Sequence, residues 1–327
     1  MLWSGTLFAL AAGLMWGLVF VAPLMLPEYP ASWLTLGRYL AFGLICLPLA
    51  WVDRRALRQL QAADWRMAVR LSLVGNFLYY LALAAAIQRA GNPLVSALIG
   101  TLPVVIAVVS NRRNALRDGH LPWRRLAPSL VAIAAGLACI NQTEWQTHAQ
   151  TDASRYGSGA LLALVALAAW TWYPIRNADW LREHPDRSPR AWATAQGLVS
   201  LPLALLGMAA LAAGAALGWA PVASPFDSPL GPNPAGFVGL MLLIGLAASW
   251  GGTLCWNEAS QRLPTALAGQ LIVFETLSAL AYGYLWRGQW PSALAATGIA
   301  LLIGGVIWAL RVKPVPADDR VYSQVHS

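Results

Sequence analysis

One carboxylate, Glu275, stands in the middle of the apolar run GQLIVFETLSALAY (269–282). Ionised and facing lipid, it would cost at least about 3 kcal/mol by insertion scales. It must therefore face protein or a water-filled cavity. An acid in such a place can bind and release a proton as its surroundings change, which a proton-coupled carrier requires. The plainer alternative is a hydrogen-bonded carboxyl that bridges two helices. Gln270, Ser278 and Tyr282 lie at i−5, i+3 and i+7 and fall near the same helical face. Arg38 is the one charge in 29–52. It can snorkel to the membrane interface or meet an anionic substrate group. One arginine is thin provision for phosphates, which take several basic donors, so phosphorylated substrates are disfavoured.

Aromatic residues supply a second kind of chemistry. Trp16 and Trp170 each stand about twelve positions into an apolar run. Tyr79 and Tyr80 are mid-run, with Asn76 one turn earlier, and Trp250 precedes the Gly251–Gly252 pair. Singly each is an ordinary packing residue. Together they suit apolar or aromatic metabolites by stacking, or cations through their ring faces. Pro103 falls at the centre of GNPLVSALIGTLPVVIAVVS, just after Gly100 and Thr101, where a kink would open a central cavity. Asn257 closes another apolar run, as a helix cap or a gate. Catalytic constellations are missing. His120, His148, His184 and His326 all fall in loops or the tail, and no HExxH, Cys/His spacing or glycine-rich phosphate loop occurs. No enzymatic activity, metal or cofactor is expected, and Cys46, Cys139 and Cys255 read as packing residues.

These residues must be positioned by membrane-spanning helices. The 327-residue chain is 58% hydrophobic and only 11% charged, against about 25% charged for a soluble domain. Charges vanish from stretches long enough to cross roughly 30 Å of hydrocarbon. The pattern predicts an all-α integral membrane protein with ten spans near 5–26, 32–52, 68–87, 93–111, 126–142, 157–175, 192–216, 235–256, 265–286 and 291–310. If the N-terminus is cytoplasmic, 18 of the 22 Arg and Lys fall on cytoplasmic segments, the positive-inside bias. The expected topology is N-in and C-in. The net charge of +8 thus orients the chain in a bilayer and does not point to nucleic acid.

The chain also repeats itself. At a constant offset of 154, SGTLFALAAGLMWG (4–17) lies over SGALLALVALAAWT (158–171), and GLICLPLA (43–50) over GLVSLPLA (197–204). AIQRAGNP (86–93) resembles ASQRLP (259–264), with two residues deleted. An odd number of spans per half inverts the second half, giving two inverted five-helix repeats, the architecture of many secondary carriers. The boundaries read as a first repeat over 1–142, an extracytoplasmic linker over 143–156, a second repeat over 157–310 and a disordered cytoplasmic tail over 311–327. A proline-rich outer loop spans 218–236.

Ten spans, the repeat, Trp16-Gly17, Arg38-Tyr39 and Pro103 resemble the drug/metabolite transporter superfamily, EamA-type permeases in particular. The resemblance implies a permease or exporter of small organic metabolites in the cell's inner (plasma) membrane, amino acids or other apolar or aromatic compounds among them. It implies alternating access, driven by protons or by facilitated diffusion. Many relatives carry a proline in span nine, where this chain has Phe274 and Glu275, so the family's span-nine residues are not carried over. The rival is a membrane scaffold, receptor or intramembrane enzyme, for which the repeat has no use. With both halves fused in one chain, oligomerisation is not required.

Overall fold

The computed structural model describes residues 2–90, 95, 98–113, 122–145, 153–217, 226, 230–288, 290–312 and 315. Among them there is no strand, and helices lie over the apolar intervals. They are α1 (Leu2–Met25), α2 (Ala31–Val52), α3 (Ala62–Ala90), α4 (Leu102–Arg113), α5 (Trp123–Trp145) and α6 (Ala153–Glu183). α7 (Pro189–Ala216), α8 (Pro234–Arg262), α9 (Thr265–Leu271), α10 (Val273–Arg287) and α11 (Ala293–Arg311) follow. Among the described residues, α1, α2, α3, α6, α7 and α8 are long and apolar enough to cross a bilayer. α5 reaches Trp145 and α6 begins at Ala153, so the segment read as a linker is helical at both ends. Its middle lies outside the described residues, as do most of the outer loop and the tail.

Local chemistry sets the helix ends. Asn233 accepts the Gly236 amide at 3.0 Å, and Pro234 occupies the first turn of α8, where its missing N–H is no loss. Asp64, in the first turn of α3, accepts the Gln61 amide at 2.8 Å. Gly288, at φ 61°, closes α10 in the left-handed conformation that glycine adopts without strain.

The exterior is apolar, and polar groups are buried within a largely apolar core. Leu7, Trp51, Leu161, Leu206 and Leu285 are exposed, while Arg38, Asn177, Gln196, Asn257, Gln270 and Glu275 are buried. A lipid-facing exterior around buried polar groups has this pattern. α1 runs along α8 and α10; α6 runs along α3; α2 packs on α7 and α5 on α11. At the α2–α7 crossing, a Cβ on Gly43 would lie 2.5 Å from Leu201 and one on Gly197 2.2 Å from the Cys46 sulfur. Only glycine permits the helices to approach so closely.

Three irregularities shape the interior. α3 is π-helical over Ser72–Leu78 and α8 over Gly245–Gly251. A π-turn adds a residue to the helix and re-aims its neighbours. In α3 this leaves Gly75 beneath the Tyr173 ring, which a Cβ would meet at 2.1 Å. The third irregularity is a break on either side of the centre. The chain turns at Gly100–Thr101 before α4 starts, and Ile272 separates α9 from α10. The irregularity expected at Pro103 is an interruption at Gly100–Thr101, just before it, and not a bend within a continuous helix. Pro103 sits in the first turn of α4, where the lost hydrogen bond costs nothing.

Candidate functional site

Glu275 lies in the first turn of α10, three residues past the break at Ile272, and is 4% exposed. Its amide donates to the Ile272 carbonyl at 2.9 Å. The sequence reading put Glu275 midway along an apolar run; the structure adds a one-residue turn at Ile272, itself in the right-handed helical conformation, just before it. α1 makes room for it: a Cβ on Gly13 would lie 3.0 Å from the Glu275 nitrogen.

The residues around the carboxyl form an aromatic box. Trp170 stacks on Tyr79, ring centroids 4.3 Å apart, and on Tyr173 at 5.2 Å. Trp16 meets Trp170 edge-on at 5.0 Å and Trp256 at 5.3 Å. The Trp16 indole is fixed by donating to the Ala248 carbonyl at 2.9 Å, inside the π-segment of α8. The Trp170 N–H approaches the Glu275 carboxyl but closes no bond of good geometry, because Trp170 Nε1 and Glu275 Oε2 are both buried without a partner. Arg38 and Tyr79 lie within electrostatic reach of that carboxyl.

Arg38 does not snorkel. It is 5% exposed, donates from Nε to Ser249 Oγ at 2.9 Å, and sits over the Tyr39 and Tyr80 rings at 5.0 and 4.8 Å. Its position partway along α2, with Ser249 on the facing π-segment, holds the guanidinium inside the bundle. Tyr80 donates weakly to the Val19 carbonyl at 3.4 Å. Among the described residues, Arg38 Nη1, Tyr79 Oη, Trp170 Nε1, Trp256 Nε1, both amide atoms of Gln270 and Glu275 Oε2 are buried with no hydrogen-bond partner. Buried polar groups are normally paired, and each that is not costs about 1–3 kcal/mol. Of these, Arg38, Tyr79, Trp170, Trp256 and Glu275 adjoin one another at the aromatic box.

Other residues singled out from the sequence are placed elsewhere. Ser278 donates to the Phe274 carbonyl at 2.8 Å, on the face of α10 against α1. Tyr282 donates to the Leu14 carbonyl at 3.0 Å and lines an outer groove. Asn76 lies in the π-segment of α3 and is buried. Thr101 is exposed and bonds back to the Leu98 carbonyl at 2.6 Å, and Pro103 is buried one residue into α4. Trp250 points away from the box, donating to Thr194 at 3.3 Å. Asn257 does not cap α8, which continues to Arg262; it accepts from Asn177 at 2.8 Å and donates to the Pro189 carbonyl at 3.1 Å.

The sequence reading missed a polar chain that leaves the box. Tyr173 Oη donates to Gln196 at 2.9 Å, and Gln196 donates to Asn177 at 3.3 Å. Asn177 also accepts the Trp192 indole at 2.9 Å and donates to Asn257. Beyond it Arg182 grips the end of α8 and the start of α9, donating to the Ser260 carbonyl and Thr265 Oγ1 at 3.0 Å each and to the Leu263 carbonyl. These ties lie toward the face at which the chain begins. The one signal available was Gln196, an amide inside a charge-free stretch.

The sequence profile of the EamA-like transporter family matches residues 3–112. The chain is 52% identical over 314 residues to the inner membrane protein YtfF of Escherichia coli (strain K12), covering 95% of this chain and 96% of that one. A protein of known crystal structure shares the fold with a TM-score of 0.67 at 18% identity, over 94% of this chain and 97% of that one.

Proposed function

The chain belongs to the EamA-like transporter family, and from that premise we propose a secondary carrier of small organic metabolites that works by alternating access around the aromatic box. The protein is a multi-pass protein of the inner membrane, a transporter of the drug/metabolite type. The observation that carries the finer reading is the set of unpartnered polar atoms on Arg38, Tyr79, Trp170 and Glu275 beside the stacked rings. A ligand with an apolar or aromatic body and a polar or charged end would pair those atoms and stack on those rings. Amino acids and aromatic amines have this form. Glu275 is the substrate-amine or proton site in this reading.

The proposed plan is ten spans in two inverted repeats with both termini in the cytoplasm. Structural features support it at the offsets read from the sequence. The π-segments Ser72–Leu78 and Gly245–Gly251 are 173 residues apart, the offset of AIQR (86–89) over ASQR (259–262). α4 and α10 start at Leu102 and Val273, 171 apart, as the two-residue deletion requires. Gly43 against Leu201 and Gly197 against Cys46 are near-reciprocal contacts, as a two-fold relation demands. Discontinuous helices at the midplane between inverted repeats are where carriers of this plan bind substrate. In this reading the ties of Asn177 and Arg182 latch the cytoplasmic side.

The test is ligand-dependent thermal stability of the purified protein against amino acids, nucleosides, amines and cationic dyes. A ligand that binds the native state raises the melting temperature by mass action. A hit lost in Glu275→Gln places that carboxylate in the site and identifies the substrate class. No stabilising ligand for either protein would leave Glu275 a helix bridge. Counterflow in proteoliposomes then separates coupling from diffusion: if Glu275→Gln exchanges unchanged and a pH gradient drives no accumulation, proton coupling through Glu275 is wrong.

A further inference from the structure

Two grooves open sideways from the bundle. One, of about 420 Å³, runs between α4 and α6 and is walled by Val105, Val109, Leu164, Leu167 and Ile175. It ends at Arg113 and Arg176. The other, of about 320 Å³, runs between α1, α8 and α10 past Leu18, Val21, Met25 and Leu243, and ends at Leu285 and Trp286. Leu18 and Val21 of the second groove correspond to Trp172 and Ile175 of the first at the offset of 154. The grooves thus share a wall related by the repeat; the first carries two cations at its mouth, whereas the second has aromatic and aliphatic groups there and a further wall from α8.

From this pair we infer that the groove between α4 and α6 binds an anionic phospholipid of the cytoplasmic leaflet, its phosphate at Arg113 and Arg176 and one acyl chain along Leu164, Leu167 and Ile175. The inference rests on the orientation proposed above, which puts this mouth at the cytoplasmic interface. Leu164 and Arg176 are twelve residues apart on α6, about 18 Å along the helix. One leaflet of hydrocarbon is about 15 Å deep, half of roughly 30 Å, so the groove has the length of a lipid tail below its headgroup. The charge balance also favours an anion. Among the described residues, Asp179 pairs with Arg113 at 2.8 Å and lies 3.7 Å from Arg176, so one carboxylate faces two guanidinium groups. The arginine side chains are 42% and 34% exposed, so both can still meet a phosphate. Arg176 in addition lies six residues from Trp170, on the helix that carries the box, so an occupant would press on the site's own scaffold.

The experiment is native mass spectrometry of the full-length protein in detergent, titrated with phosphatidylglycerol or with phosphatidylcholine of the same acyl chains. We expect phosphatidylglycerol to be retained more strongly, and the preference to fall by about fivefold for each arginine removed in Arg113→Gln and Arg176→Gln, the effect of one base near an anionic surface. Ala168→Trp, which fills the groove and keeps both arginines, should lower retention of both lipids. Arg58→Gln removes an exposed charge elsewhere and should change nothing. Equal retention of the two lipids, no loss in the arginine variants and in Ala168→Trp, or an equal loss in Arg58→Gln each overturns the site. The readout is bound lipid and not transport, so its failure leaves the carrier reading standing.

Discussion

Arg38 donates from Nε to Ser249 Oγ at 2.9 Å, which ties the middle of α2 to the π-segment of α8. With Tyr39 and Tyr80 beneath it, the guanidinium is clamped at the edge of the aromatic box. Ser249→Ala removes one partner from a buried cation and should lower stability by about 1–3 kcal/mol. Arg38→Lys should not substitute, since an ammonium lacks both the planar stacking face and the directed Nε–H. Thermal unfolding in detergent checks both: an undiminished midpoint in Arg38→Lys would show that the plane of the guanidinium does not matter.

Trp170→Phe keeps a ring to stack on Tyr79 and Tyr173 but removes the N–H that approaches Glu275. We expect the fold to hold and affinity for carboxylate-dependent ligands to fall about tenfold, the size of one charge-assisted hydrogen bond. Trp170→Leu should lose stacking as well and bind more weakly still. Equal affinities for the wild type and Trp170→Phe, measured by ligand-induced stabilisation, would remove the indole N–H from the site.

The ties of Arg182 to the Ser260 and Leu263 carbonyls and to Thr265 make the latch testable. Gln270→Cys, in a background lacking Cys46, Cys139 and Cys255, places a single thiol at the centre of the bundle. In inverted vesicles, Arg182→Ala should speed its labelling by a membrane-impermeant reagent several-fold, and Asn177→Ala should act in the same direction. Unchanged rates in both variants would mean that the ties are structural only.

Gly43→Ala brings a methyl to within 2.5 Å of the Leu201 side chain and 2.8 Å of its Cα. Neither atom is the far end of a flexible chain, so the helices must separate, at about 1–3 kcal/mol. Gly239→Ala, with open space around it, should be neutral. Comparing their unfolding midpoints separates close packing from a general intolerance of alanine.

Much of this arrangement is legible in the amino-acid order. Charge-free runs located the helices, because an exposed charge in hydrocarbon is costly wherever it occurs. Glu275 stood out for the same reason, and Trp16, Tyr79 and Trp170 do lie together around it. What stayed hidden follows from contacts between distant residues. The break at Ile272 has no proline or glycine to announce it. Neither π-segment has a local signature. Arg38 could be read as an interface anchor or as a substrate contact, and only Ser249, 211 positions away, gives it a partner inside. α6 extends to Glu183 because Asn177, Asp179 and Arg182 bond to other helices. A hydropathy window reads those same residues as a loop.

Residue 38 is an arginine, and its counterpart 154 positions later, Trp192, is a fully buried indole stacked on Trp180 at 3.5 Å. In a carrier of the proposed plan, the two halves trade roles each time the site changes sides. Identical halves would make the two end states equivalent under a two-fold rotation and of equal free energy. A charge in one half and an indole in the other removes that degeneracy. Each 1.4 kcal/mol of difference gives a tenfold bias in resting population, so such a molecule has a preferred side on which to wait for its cargo. Duplication supplies the symmetry that makes exchange feasible, and divergence at one pair of positions is enough to give the cycle a starting point.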